Sequence, residues 1–248
     1  MRPPRHVLAA FGAEGSPELL QGGTGRSWRV GSLVIKPLDC SASELAWQAE
    51  VISSIEQDAF RVARPLPDAV DGWAASEYVV GEHRPQRWRE IISVGERFHV
   101  ALANARKPHA ILDARVDPWA VGDRVAWNEA PFPELDDVLS ALEPVDAPSQ
   151  LIHGDLTGNV LFHHELPPAI IDFAPYWRPT EFASAIVVAD ALSWEGAPAE
   201  LAHVVDPQYL LRALVYRAVT TRLTGHAGPI AELDLARRIV ATSPRRSS

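Results

Sequence analysis

The chain has 248 residues, 47% apolar and 22% charged, which excludes a disordered or fibrous protein and suits one two-lobed domain. A formal net charge of −9 argues against binding nucleic acid by neutralising phosphates, and a lone cysteine, Cys40, excludes an internal disulfide or a thiolate-rich metal site. The start, Met1-Arg2-Pro3-Pro4-Arg5, lacks the apolar run of a secretory signal, and no stretch approaches the roughly 20 apolar residues that span a bilayer, so a soluble cytoplasmic protein without a membrane partner is expected.

Residues 1–80 read mostly as strands. Leu19–Gln21 leads into the glycine-rich turn Gly22-Gly23-Thr24-Gly25, then Trp28–Val30, a turn at Gly31-Ser32, and Leu33–Lys36. Ser41 or Ser43 can cap a helix running to about Gln57, with Leu45, Ala49, Ile52 and Ile55 on one buried face. Strand-like runs Phe60–Ala63 and Trp73–Val80 follow, ending at Gly81. There the period lengthens: Pro85 can open a helix through about Ala103, with Trp88, Ile91, Ile92, Phe98 and Leu102 as its apolar stripe. Residues 107–133 carry no clear element, and Glu134–Leu142 reads as helix. Short β segments are predicted at Gln150–Ile152 with Val160–Phe162, and at Ala169–Asp172. From about Glu181 the chain reads as three or four helices broken at Gly225–Pro229. This order predicts an α+β fold with a small β-rich lobe at 1–80, a hinge, and a larger helical lobe at 81–248.

Four features carry chemistry. The backbone of Gly22, Gly23 and Gly25 can approach phosphate oxygens because no Cβ intervenes, although the turn lacks the ending of a P-loop. Lys36 closes an apolar strand and needs an anionic partner, for which Glu50 and Glu44 on the next helix are the candidates. In the polar loop His153-Gly-Asp-Leu-Thr-Gly-Asn159, Asp155 can accept a proton from a hydroxyl and Asn159 can offer an amide oxygen to magnesium. Asp172 ends the apolar run Ile170-Ile-Asp-Phe173 and can ligate the same ion. Among the tryptophans, Trp47, Trp73, Trp88 and Trp194 read as packing residues, whereas Trp119, Trp127 and Trp177 are the ligand candidates. Asp190 and Glu195 read as a solvated helix face.

The ordered set resembles the aminoglycoside phosphotransferase and choline-kinase-like family, relatives of the protein kinases. His153–Phe162 (HGDLTGNVLF) and Ile170–Phe173 (IIDF) carry most of the likeness, with Gly22–Gly25, Lys36, Glu50 and Glu77-Tyr78-Val79 agreeing in order over about residues 19–190. The resemblance implies a bilobal protein-kinase-like fold using ATP and Mg²⁺ to phosphorylate a hydroxyl of a small molecule. Under it Asp155 is the catalytic base, Asn159 and Asp172 the magnesium ligands, and Lys36 the phosphate-binding lysine oriented by Glu50. The backbone from Glu77 to Val79 receives the adenine, and His153 braces the loop.

This chain departs from the family pattern at three points. Only three residues separate Asp155 from Asn159 where four are usual, Ala174 follows Asp-Phe in place of glycine, and the acid that braces the catalytic loop is absent or replaced by Glu181. From Pro175 onward eight arginines outnumber seven acids, which weighs against a polycationic acceptor. Two other readings stay open. One is a kinase-like module that binds nucleotide or a protein partner without chemistry; the other is a metal-dependent hydrolase built from His153, Asp155, His163, His164 and Asp172. The acceptor and the oligomeric state are not legible.

Overall fold

Short apolar runs punctuated by turns give the first part of the chain its strands. The computed structural model describes residues 1–21, 25–228 and 230–242. Helix α1 (Arg5–Ala10) precedes β1 (Glu18–Leu19), β2 (Trp28–Val30) and β3 (Leu33–Pro37). Then come α2 (Ala42–Ser54), β4 (Arg61–Val62) and β5 (Trp73–Glu77). Strands β1-β2-β3-β5 form an antiparallel sheet with Trp28 opposite Ile35 and Ile35 opposite Ala75. Period-two alternation turns Val30, Ile35, Trp73 and Ala75 to one side, where they pack with Val7 of α1 as a buried cluster. Helix α2 starts where expected: the Ser41 hydroxyl accepts the Glu44 N–H at 3.1 Å, and Leu45, Ala49 and Ile52 are buried.

Helix α3 (Trp88–Leu102) buries all five predicted stripe residues. The segment after it holds α4 (His109–Leu112) and α5 (Pro118–Ala126), where the sequence pattern shows no clear element. Helix α5 does carry a start signal: Asp117 caps it through the Ala120 N–H at 3.0 Å, and Pro118 occupies the first turn. The helix predicted at Glu134–Leu142 shrinks to a 3₁₀ turn at Pro133–Leu135 and the single-turn α6 (Asp136–Leu139).

Strands β6 (Gln150–His153), β7 (Val160–Leu161), β8 (Ala169–Ile170) and β9 (Pro175–Arg178) then frame the polar loop. Strand β6 pairs with β9 rather than with β7, because β7 and β8 form their own antiparallel hairpin, whose tip holds His163 and His164. Helices α7 (Thr180–Trp194), α8 (Pro207–Leu223) and α9 (Ala231–Thr242) complete the chain. Helix α7 is buried on every side from Phe182 to Ala191, as is α8 from Tyr209 to Thr220; both are core helices.

These elements gather into two compact units. The first comprises Met1–Arg84, Val100–Ala105 and Gly158–Phe173; the second comprises Pro85–His99, Arg106–Thr157 and the chain from Ala174 onward. The 158–173 hairpin clusters with the first unit because β8 runs parallel to β4, Arg61 opposite Ala169 and Val62 opposite Ile170. No helix among the described residues is long and apolar enough to cross a membrane.

Candidate active site

Within the first unit, Lys36 sits on β3 opposite Ala74 and emerges where the strand ends. Its Nζ lies 2.9 Å from Asp39 Oδ2 and 3.0 Å from Asp172 Oδ1. Burial pulls the Lys36 pKa down, but the two carboxylates more than offset this and hold it above the ordinary lysine range. Neither expected glutamate supplies that partner. The apolar stripe fixes the phase of α2, which leaves Glu50 exposed on the outer face, whereas Glu44 is buried and accepts from the Gln48 amide at 3.2 Å. Asp39, three residues after Lys36, takes the place assigned to Glu50. Its one sequence signal is its nearness to the strand end, where the chain turns back toward the lysine.

Asp172 adopts a left-handed backbone, φ +48°, a conformation that asparagine and aspartate tolerate better than other non-glycine residues. Its carboxylate is about half exposed. The β7–β8 pairing carries one residue further, since the Ile171 N–H donates to the Asn159 carbonyl at 3.0 Å. Asn159 and Asp172 thereby stand at neighbouring positions beside one end of the same hairpin, two oxygen-bearing side chains of the kind a hard divalent cation takes.

The end of β5 has a regular backbone pattern. On one edge Leu66 donates to Ala75 and Glu77 donates to Arg64, whereas Tyr78 turns the other way and donates to Ser32. The following groups on the first edge, the Glu77 carbonyl and the Val79 N–H, make no hydrogen bond among the described residues. One acceptor and one donor, spaced two residues apart, are thus presented together. Gly22 and Gly23 lie outside the described residues; Gly25 has φ +67°.

Within the second unit, the loop bearing Asp155 is held by backbone and imidazole contacts. Gly154 donates to the Ala174 carbonyl at 2.9 Å, Asp155 N–H donates to His153 Nδ1 at 3.1 Å, and His153 N–H donates to His99 Nε2 at 3.0 Å. His153 is fully buried. His99 is buried as well, and desolvation first, then the neighbouring His153, lowers its pKa to about 3, so it stays a neutral acceptor. A Cβ at position 154 would come within 2.3 Å of the Tyr176 ring, so only glycine lets the loop lie against β9. Leu156, also buried, packs onto Gly95 of α3.

Asp155 itself is partly exposed, and its Oδ1 accepts from Arg217 Nη2 at 2.7 Å. Arg217, on α8, also grips Asp190 of α7 through Nε and Nη2, both at 2.7 Å. Burial alone would lower the Arg217 pKa, but Asp190, Tyr216 and Asp155 raise it well above the ordinary value. The Thr157 hydroxyl lies close enough to favour the Asp190 anion without reaching hydrogen-bond geometry. Asp190 is therefore no solvated-face residue: it is buried and anchors the loop's surroundings, whereas Glu181 accepts the Asp206 N–H at the far end of α7. Sequence spacing hides this acid because α7 has no polar face by which to recognise an inward charge.

The aromatic expectations change in part. Trp73 and Trp88 are buried as predicted, but Trp194 is 53% exposed. Trp127 is half-buried and packs edge-on against Phe182 and Tyr209, with Arg178 and Arg212 over its ring. Among the described residues there is no group of three or more His, Cys, Asp or Glu side chains placed to hold a metal ion.

The architecture is the α+β fold of the protein kinases. The chain aligns over 96% of its length with choline kinase LicA from Streptococcus pneumoniae, covering 98% of that chain at a TM-score of 0.64 and 10% identity. A choline/ethanolamine kinase family protein from Mesorhizobium loti matches at TM-score 0.56 and 16% identity, over 93% of this chain and 90% of that one. Spectinomycin phosphotransferase APH(9)-Ia, solved with ADP and spectinomycin, matches at 0.56 and 13% identity, over 95% and 97%. No curated protein sequence matches the chain. The sequence model of the phosphotransferase enzyme family matches residues 22–176, and the chain belongs to that family.

Proposed function

We propose that this protein is a small-molecule kinase that transfers the γ-phosphoryl group of ATP, with Mg²⁺, to a hydroxyl of its acceptor. The observation that carries the reading is the 3.0 Å contact between Lys36 and Asp172, a phosphate-seeking cation held beside a metal-seeking carboxylate. An ammonium has three hydrogens; Asp39 and Asp172 engage two, and the third serves a phosphate oxygen. The Glu77 carbonyl and the Val79 N–H are the complementary pair for an adenine edge, and the glycines at 22, 23 and 25 admit phosphates to the backbone.

Asn159 and Asp172 fit magnesium by donor chemistry, and the bound ion would supply charge neutralisation at the phosphates. Asp155 orients the acceptor hydroxyl for in-line attack. The acceptor O–P bond forms, the bond from the γ-phosphorus to the ADP oxygen breaks, and the hydroxyl proton leaves through Asp155. His153 and His99 position the Asp155 backbone, and His99 takes no proton. The reading carries with it a cytoplasmic protein whose partner is a small hydroxyl compound.

Replacing Asp155 by Asn should abolish phosphoryl transfer across a panel of amino alcohols, sugars and nucleosides, with MgATP binding retained in calorimetry. Full turnover by Asp155→Asn would remove Asp155 from that role. The three-residue interval between Asp155 and Asn159 favours a second reading, a nucleotide-binding module without chemistry. That reading expects magnesium-dependent ATP binding and no transfer to any acceptor.

A further inference from the structure

Arg217 is more constrained than burial alone demands. Asp190 by itself balances the guanidinium charge, through two parallel 2.7 Å bonds from Nε and Nη2 that fix its plane. Tyr216 and Trp194 lie against it, ring centroids 5.1 and 5.5 Å from the guanidinium carbon. With orientation set by a buried carboxylate and two rings, the same Nη2 reaches outward to Asp155 Oδ1 at 2.7 Å. A tie between α7 and α8 needs only the Asp190 half of this arrangement. The outward bond goes to a partly exposed carboxylate on the loop and engages its Oδ1.

We propose that Arg217, braced by Asp190, is a positioning residue that sets the direction of the Asp155 carboxylate toward the acceptor hydroxyl. The proposal rests on the reading of Asp155 given above. Lysine at 217 can pair with one carboxylate but has no planar fork to hold Asp190 and reach Asp155 in a fixed direction. Arg217 is thus set apart from a simple counter-ion, which lysine would replace.

The test uses magnesium-dependent ATP hydrolysis, with water as the phosphoryl acceptor, normalised to sites that bind MgADP. Arg217→Lys should lower kcat by about tenfold to a hundredfold, the range expected of a misplaced reacting group, and leave KM for MgATP unchanged. The double variant Arg217→Met with Asp190→Asn removes both buried charges together, so it should fold and show the same loss. Wild-type kcat per site in either variant, with only a lower melting temperature, would make Arg217 a structural tie and overturn the proposal. Failure of both variants to bind MgADP would make it a folding residue and overturn the proposal equally. Asp155→Asn separates the two levels. If it is inactive and Arg217→Lys is not, positioning alone falls. If it hydrolyses ATP normally, or the wild type binds MgATP without transferring phosphoryl to water or to any acceptor of the panel, the reading of Asp155 falls and takes the proposal with it.

Discussion

At the scale of single residues, the loop bearing Asp155 rests on a buried imidazole, His99, that stays neutral. His99 accepts the His153 N–H through Nε2, and its pKa of about 3 means that the folded protein refuses a proton which the unfolded chain takes near 6.5. The contribution is complete above that unfolded value. As pH falls from 6.5 toward about 3, this one group removes about 1.4 kcal/mol of stability per pH unit. His99→Gln keeps an acceptor for the His153 N–H and removes the titration. Urea unfolding across this range should show an acid limb shallower by one proton in the variant; identical limbs would contradict a neutral His99. Lys36 illustrates how far sequence reaches at this scale. Its need for an anion was legible, but its partners were not: Asp172 reads only as a metal ligand, and the choice of Asp39 over Glu50 depends on where β3 stops and how α2 is phased.

At the scale of elements, helix contacts explain why small and charged residues sit where they do. At Gly122 of α5 an added Cβ would meet the Tyr216 carbonyl and the Thr220 hydroxyl of α8, each at 2.8 Å. Because a backbone oxygen cannot swing aside, Gly122→Ala should cost about 1–3 kcal/mol in chemical denaturation by forcing the two helices apart. Arg178 of β9 grips Asp123 of α5, at 2.7 Å for the shortest bond, with both side chains under 15% exposed. Asp123→Ala should cost about 3 kcal/mol, since Glu129 alone remains for the cation. The exposed Arg87–Glu90 pair is the internal control, and breaking it should cost under about 1 kcal/mol. Helix α5 is hard to see in the sequence although Asp117-Pro118 announces it; a short helix inside a Trp- and Pro-containing stretch has too few turns for its period to stand out. The strand exchange that pairs β6 with β9 leaves no local trace, because pairing partners are chosen by residues more than 20 positions apart.

At the scale of the whole molecule, the proposed kinase reading has a thermodynamic signature. A nucleotide that binds only the folded chain stabilises it by RT ln(1 + [L]/Kd), about 2.7 kcal/mol at a hundredfold excess over Kd. Thermal unfolding with MgATP should therefore shift upward in the wild type and in Asp155→Asn, and much less in Lys36→Met. An equal shift in Lys36→Met would separate nucleotide binding from Lys36.

The sequence by itself determined the kinase-like α+β class and most of the strands and longer helices, though not α1, α4 or α5, and it named Asp155, Asn159 and Asp172 as the loop candidates. Those follow from local periodicity, turn chemistry and a motif contiguous in the chain. Only the tertiary structure decided that Asp190 is buried, that Arg217 joins it to Asp155, that Trp194 is half exposed, and that Asp39 holds Lys36. Each of these turns on which face of one element meets another distant in sequence. Burial and ion pairing arise from that meeting, and a linear pattern of residue types does not contain it.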